Sequence, residues 1–424
     1  MFKFSNIKKL TNSENYLIAI FKIASITLFA ISFFSIPTVS FITQLKNITW
    51  VLTIVTVLSM VFVLLFSKNK IKVDLISLSF VLFGFFAFFS SLINGMRAFV
   101  FTPILLSILS CLIYLYCKNN KDQIKPLFVA SYIGLICFLF VFAFVYRNEL
   151  MHLQFSRLGS KFGDINDIAL FMGLGCVMSF SFFLYAKKWY FKVPCAFLFF
   201  AFVLCGFSSS SKSFLFILVI CLLTQIFVFF GKKKWWISAL ISGGLIALFF
   251  IVINLPFMSG FKQRLLDMFS TLTQDQRING SNNDLSTIDR LHMFLDGMTM
   301  WLRKPIFGYG IQGFFRASSY GGGWSHNHFS ETLASFGIVG AFLFHYGYVK
   351  GIHGFFDSKK EKMQKMLGIL FLFFIICMFF VGLNSQKIYA FLIPLPIAFF
   401  EKENKNREIY SIQFYLNNRK KTNA

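Results

Sequence analysis

Apolar residues run through this chain in continuous blocks, and the blocks recur from one end to the other. They fall near 16–34, 49–67, 74–94, 98–117, 126–146, 165–186, 190–207, 213–231, 235–255, 327–349, 366–384 and 388–400. Most are long enough to cross a bilayer core as a helix, about twelve spans in all. Continuous runs exclude a transmembrane β-barrel, whose strands alternate apolar and polar positions. The expected fold is therefore an all-α polytopic membrane protein, because lipid forces the backbone to satisfy its own hydrogen bonds. The basic start "MFKFSNIKK" leads into its apolar run without a cleavage site, and that run is expected to be the first span.

The connections alternate as well. "FKFSNIKK", "SKNKIK", "KNNKDQIK", "KKWYFK", "GKKKW", "DSKKEKMQK" and "NNRKKTNA" are lysine-rich and fall at the termini or at even-numbered connections. The rule that basic residues stay inside then predicts two cytoplasmic termini. The resulting organisation is spans one to nine over 1–255, a large periplasmic loop over 256–326, spans ten to twelve over 327–400, and a basic cytoplasmic tail over 401–424.

The loop is too long for a plain connector and is expected to be structured. In "SGFKQRLLDMFSTL", Phe261, Leu265, Met268 and Leu272 share one helical face. In "STIDRLHMFLDGMTMWLRKP", Ser286 reads as an N-cap, and Ile288, Leu291, Leu295, Met298 and Leu302 form one stripe. Pro305 and "FGYG" stop that helix. Both segments are too short and too charged to span. They are expected to be amphipathic helices at the membrane surface or over a cavity.

Composition fits this picture. Hydrophobic residues make up 57% of the 424 and charged residues only 14%, too little charge to coat a soluble domain of this size. In a soluble chain the net charge of +24 would suggest nucleic acid; here its distribution makes it a topology signal, and no nucleic-acid partner is expected. The eight cysteines lie in or beside apolar runs without ligand spacing, so they read as small core residues.

Candidate chemistry gathers on the face predicted to be periplasmic. "WSHNHFSETL" places Ser325, His326, Asn327, His328 and Glu331 where the large loop re-enters the membrane. Ser325 or Asn327 can cap the next helix and Glu331 favours its positive end, but histidine is an indifferent capper. Arg290 and Arg264 lie on the two amphipathic helices, Arg157 and Lys161 precede the sixth span, and Lys212 sits between the seventh and eighth. Singly, each of these cations reads as an interfacial anchor. Together, on a face otherwise poor in positive charge, they point to an anion site, and the arginine fork suits a diphosphate. Asp164, Asn166 and Asp167 read mainly as caps of the sixth span, with Asn166 also a candidate ligand contact.

These residues resemble the C-terminal signature of the O-antigen polymerase/O-antigen ligase superfamily. In that pattern an arginine is followed by a proline-led Gly-x-Gly turn, then by His-Asn opening a helix with Gly-x-x-Gly. Arg290, "KPIFGYG" with Gly308 and Gly310, His326, Asn327, Gly337 and Gly340 follow it in order. "RLGSKFGDINDIALF" resembles a further element through Arg157 and Asn166, and "SSSSKSFL" another, with Lys212 where arginine is usual. A lysine there offers a point charge and no fork. The resemblance covers about residues 155–345.

The resemblance implies a membrane glycosyltransferase of the GT-C type, metal-independent, inverting and without a cofactor. Its donor would be an undecaprenyl-diphosphate-linked oligosaccharide, handled at the periplasmic side of the bacterial inner membrane. Arg157, Arg290, Lys212 and Arg264 would bind diphosphate, His326 would be catalytic, and Asn327, Glu331 and Asn166 would support the acceptor or the site. The expected function is polymerase, transferring the glycan onto the next lipid-linked repeat unit with a chain-length regulator as a possible partner. The alternatives are a ligase acting on lipid A–core and a lipid-linked oligosaccharide flippase. Flippases usually show two comparable halves, and none are visible here.

Overall fold

Each apolar run closes its own backbone hydrogen bonds, and the result is a bundle of helices. In the computed structural model, described residues are 13–38, 46–67, 71–95, 101–151, 158, 160–162, 165–231, 234–273, 285–319, 325–357, 361–380, 387–401 and 410–412. The bundle opens with α1 (Ser13–Thr38), α2 (Lys46–Phe66), α3 (Leu75–Ile93), α4 (Thr102–Asn119) and α5 (Ile124–Val145). It continues with α6 (Ile165–Tyr185), α7 (Trp189–Ser208), α8 (Lys212–Phe230) and α9 (Trp235–Ile253). Then come α10 (Ser259–Thr273), α11 (Leu285–Arg303), α12 (His328–Asp357), α13 (Lys362–Cys377), α14 (Lys387–Leu392) and α15 (Pro394–Phe400).

Among the described residues, 10 helices are long and apolar enough to cross a membrane, so the chain is a multi-pass membrane protein. The last two expected spans are shorter. Helix α13 has 16 residues, and the stretch 387–400 is split at Ile393, where Pro394 and Pro396 interrupt the helical ladder. Helix α11 already includes Ser286, so that residue lies inside the first turn instead of capping it.

Small and hydroxylated residues join the spans, since apolar surface alone gives no preference between helix and lipid. Ser25 and Ser59 share a 2.9 Å hydrogen bond, and Ser32 and Thr56 one of 2.8 Å, joining α1 to α2. Tyr132 and Ser179 join α5 to α6 at 2.8 Å. A Cβ on Gly134 would lie 2.9 Å from the Ala30 carbonyl oxygen, so α5 approaches α1 at backbone distance.

Helix α5 fixes the two ends of the molecule. It begins just after Lys121, at a lysine-rich face, and ends at Tyr146 some 33 Å away at 1.5 Å per residue. At that far end the Tyr146 hydroxyl accepts from the Lys161 amide at 3.0 Å, and the Leu158 amide donates to the Ser208 carbonyl at 2.9 Å. The far end therefore also holds the start of α8.

At the near end, strand β1 (Ile71–Val73) pairs antiparallel with strand β2 (Tyr410–Ile412), with Lys72 opposite Ser411. Asp74 follows β1 and caps α3: its carboxylate accepts from the Ser77 amide at 2.9 Å, and the Ser77 hydroxyl accepts from the Asp74 amide at 3.0 Å. The same carboxylate accepts from Tyr114 at 2.6 Å and Lys118 at 2.5 Å. Glu401 completes the cluster through Tyr114 and through Lys118 at 3.1 Å.

Candidate functional site

A break in α12 organises the opposite end. At Gly337 the backbone leaves the helix, with φ 61° and ψ −169°. The turn from Pro305 to Gly310 crosses the gap and meets the freed polar groups: Tyr309 N donates to Ala334 O at 2.9 Å, Gly310 N to Ser335 O at 2.7 Å, and Ile338 N to Pro305 O at 2.8 Å. A broken helix is tolerated at membrane depth only when such partners are supplied. The crossing is so close that a Cβ on Gly337 would overlap the Ile306 carbonyl, and one on Gly308 would lie 2.5 Å from the Ser335 backbone.

The end of α3 holds the turn from its other side. Ser90 Oγ donates to Phe307 O at 2.6 Å, Asn94 Nδ2 to Gly308 O at 3.1 Å, and Ile311 N to Ser91 Oγ at 2.8 Å. Lys304 donates to Asn94 Oδ1 at 2.6 Å and lies over the Tyr309 ring at 4.4 Å.

Helix α11 leans on α12 through Met293, Gly297 and Met300; Met300 is packed with Phe314 and Ala334. Its other edge, with Leu291, Leu295 and Leu302, is exposed, as suits a helix in contact with acyl chains. Between these edges, Arg290 and Phe294 face a cavity of about 310 Å³.

Four elements line this cavity: Lys212, Ser213 and Phe216 at the start of α8; Arg290, Leu291 and Phe294 of α11; Ser325, His326 and Asn327 before α12; and Phe379 and Phe380 after α13. Lys212 and Ser213 open α8, so the positive end of that helix adds to the cationic field. Phe216 stacks on Phe380, with ring centroids 5.9 Å apart and an 11° interplanar angle. Leu291 and Phe379 are 59% and 57% exposed, which makes one side of the mouth apolar. The cavity thus joins a cationic interior to an apolar rim, a shape that suits an anionic lipid head group.

Four of the sequence candidates, Lys212, Arg290, His326 and Asn327, meet here. His326 sits at the apex of a turn with φ 52°, and Asn327 caps α12 by accepting from the Ser330 amide at 3.1 Å. Glu331 is buried behind this turn, accepting from Ser325 Oγ at 3.0 Å. Asn166 accepts from Ser211 Oγ at 3.3 Å and so supports the residue before Lys212. Arg157 lies outside the described residues, and Arg264 is placed on α10 only by its backbone.

Sequence reasoning missed the aromatic wall. Phe216 and Phe294 stand four residues after Lys212 and Arg290, so helical spacing would have found them. Phe379 and Phe380 carry no such signal.

A multi-pass membrane protein with a cationic, aromatic-walled cavity at one end of its bundle is the class that this geometry defines. Residues 195–345 match the family model described as O-antigen ligase, so this segment is similar to that family. The match runs from within α7 to within α12. It includes the cavity residues Lys212, Arg290, His326 and Asn327, and ends before Phe379 and Phe380. No curated protein matches the chain.

Proposed function

We propose that this chain is a glycosyltransferase that polymerises a surface polysaccharide, moving a glycan from an undecaprenyl-diphosphate carrier onto the next lipid-linked repeat unit. The observation that carries the reading is the convergence of Lys212, Arg290 and His326 on one cavity with an apolar mouth. The diphosphate fits the cations, the isoprenoid leaves past Leu291 and Phe379, and the aromatic wall offers sugar rings a flat apolar face. The positive-inside pattern supports reading this end of the bundle as periplasmic, in a cell with an inner membrane, and both termini as cytoplasmic.

The chemistry balances without an external energy source. The acceptor hydroxyl attacks the anomeric carbon from the side opposite the diphosphate and gives its proton to the His326 imidazole, which acts as general base. A new carbon–oxygen bond forms as the carbon–oxygen bond to phosphate breaks, and the leaving diphosphate keeps the electron pair. Charge grows on the leaving oxygen, so Arg290 and Lys212 stabilise the transition state more than the ground state. Arg157 and Arg264 are proposed to add to this field.

The second reading is a ligase, with lipid A–core as acceptor; the description of the matching family names a ligase. Deleting the gene in its host separates the two. Lipid A–core carrying a single repeat unit supports the polymerase, and lipid A–core carrying none assigns the chain as a ligase.

A further inference from the structure

We infer that Glu331 is a positioning residue: through the Ser325 hydroxyl, its buried carboxyl holds the left-handed turn that presents His326 to the cavity. The inference rests on the reading of His326 as the group that meets the acceptor hydroxyl.

His326 has φ 52°, a conformation that a residue with a Cβ adopts only when its surroundings impose it. Both neighbours are tied down. The single Ser325 hydroxyl proton is shared between Asn327 O at 2.8 Å and Glu331 Oε2 at 3.0 Å, and the hydroxyl oxygen accepts from the Asn327 amide at 3.3 Å. Asn327 is fixed again by capping: its Oδ1 accepts from the Ser330 amide, and its carbonyl from the Glu331 amide at 3.1 Å. One turn of α12 therefore clasps the loop at 325 and 327, and the residue between them is pushed out to line the cavity.

Glu331 does not line that cavity, and is only 2% exposed. A carboxyl at such a place is costly unless its hydrogen bonds do something that an apolar side chain could not. Its carboxyl meets Ser325, itself 1% exposed, and through Ser325 the backbone on either side of His326. A residue so placed acts on the imidazole's position and touches no reacting atom. Displacing a catalytic group by about 1 Å can cost on the order of 10²-fold in rate, so a modest slackening of the turn is enough to matter.

The test compares Ser325→Ala, Glu331→Gln and Glu331→Leu in the full-length chain. Polysaccharide output is read in the gene-deleted host. In the purified protein, the rate at which diethyl pyrocarbonate modifies His326 is read by peptide mass spectrometry, and binding of inorganic diphosphate is measured alongside.

Ser325→Ala and Glu331→Leu are expected to lower output about tenfold or more and to change the His326 modification rate by at least about twofold. Glu331→Gln keeps a polar group that still reaches Ser325 and restores output to within about threefold of wild type. Diphosphate binding, which belongs to Lys212 and Arg290, stays unchanged in the two Glu331 variants, whose side chain lies outside the cavity lining. An unaltered His326 modification rate in Ser325→Ala overturns the inference, as does a loss of diphosphate binding in the Glu331 variants, which would mean general collapse of the site. If Glu331→Leu does not fold, Ser325→Ala decides alone, since it removes one hydroxyl and almost no volume. Full output from His326→Ala would instead sink the acceptor reading, and the modification rates would still report on the turn.

Discussion

Two charge clusters stand at opposite ends of the bundle, and their construction differs. At the lysine-rich end, Lys118 sits between the Asp74 and Glu401 carboxylates, closed in by Tyr114 and by the pairing of β1 with β2. At the other end, Lys212, Arg290 and His326 line an open cavity with four phenylalanines and two serines. Opposite charges brought together and enclosed hold pieces of structure in register. Cations gathered around an open, aromatic-walled space suit an anionic ligand. The comparison predicts that substitutions at the cavity end change transfer and leave the fold, while those at the lysine-rich end do the reverse.

The largest effect belongs to His326. Its replacement by alanine is expected to lower polymer formation by at least about 10²-fold while the protein remains in the membrane at wild-type level. Immunoblotting of membranes beside a glycan gel checks both halves, and undiminished polymer would remove His326 from the chemistry. Next comes Arg290. Arg290→Lys and Arg290→Ala should both lose about ten- to a hundredfold, because lysine keeps the charge and loses the fork. A lysine variant as active as wild type would reduce Arg290 to an interfacial anchor.

Gly337→Ala tests how the cavity end is built. A Cβ there would meet the Ile306 carbonyl in a backbone already at positive φ, and a cost of about 2 kcal/mol is expected. Thermal unfolding in detergent measures it. An unchanged midpoint would show that the turn at 305–310 can move away from α12.

These expectations separate what the residues revealed from what they hid. The spans were legible because some 20 apolar residues in a row have few other uses. The polar lining of the cavity was legible at Lys212, Arg290, His326 and Asn327 because polar groups at a membrane boundary stand out against apolar flanks. Asn327 as a cap also followed from its type and place. The break at Gly337 was hidden: the glycine was visible as part of Gly-x-x-Gly, but its role depends on a turn some thirty residues away in sequence. Ser90, Ser91 and Asn94 were hidden more deeply, since each meets its partner more than 200 residues along the chain. The split of the last apolar run was signalled by Pro394 and Pro396, yet read as one short span.

The smallest effect is a pH dependence at the lysine-rich end, and its sign follows from two opposite shifts. Burial alone would raise Asp74, but hydrogen bonds from Glu401, Lys118, the Ser77 amide and Tyr114 outweigh it and hold the carboxyl below the usual range. Glu401 goes the other way: burial first, then its contact with Asp74, pushes it up to about 7 from an ordinary 4.5. A carboxyl raised on folding stabilises the protein fully below its ordinary value, and that contribution fades as pH climbs through about 7. Asp74 contributes in the opposite sense, losing its share only in strong acid. Between pH 5 and 8 the Glu401 contribution therefore dominates, and the wild-type unfolding midpoint should fall relative to that of Glu401→Gln, which stays neutral throughout. Parallel curves for the two proteins would mean that Glu401 does not titrate in this window. Transfer activity should not distinguish them at any pH, because no atom of this cluster lines the cavity where His326 stands.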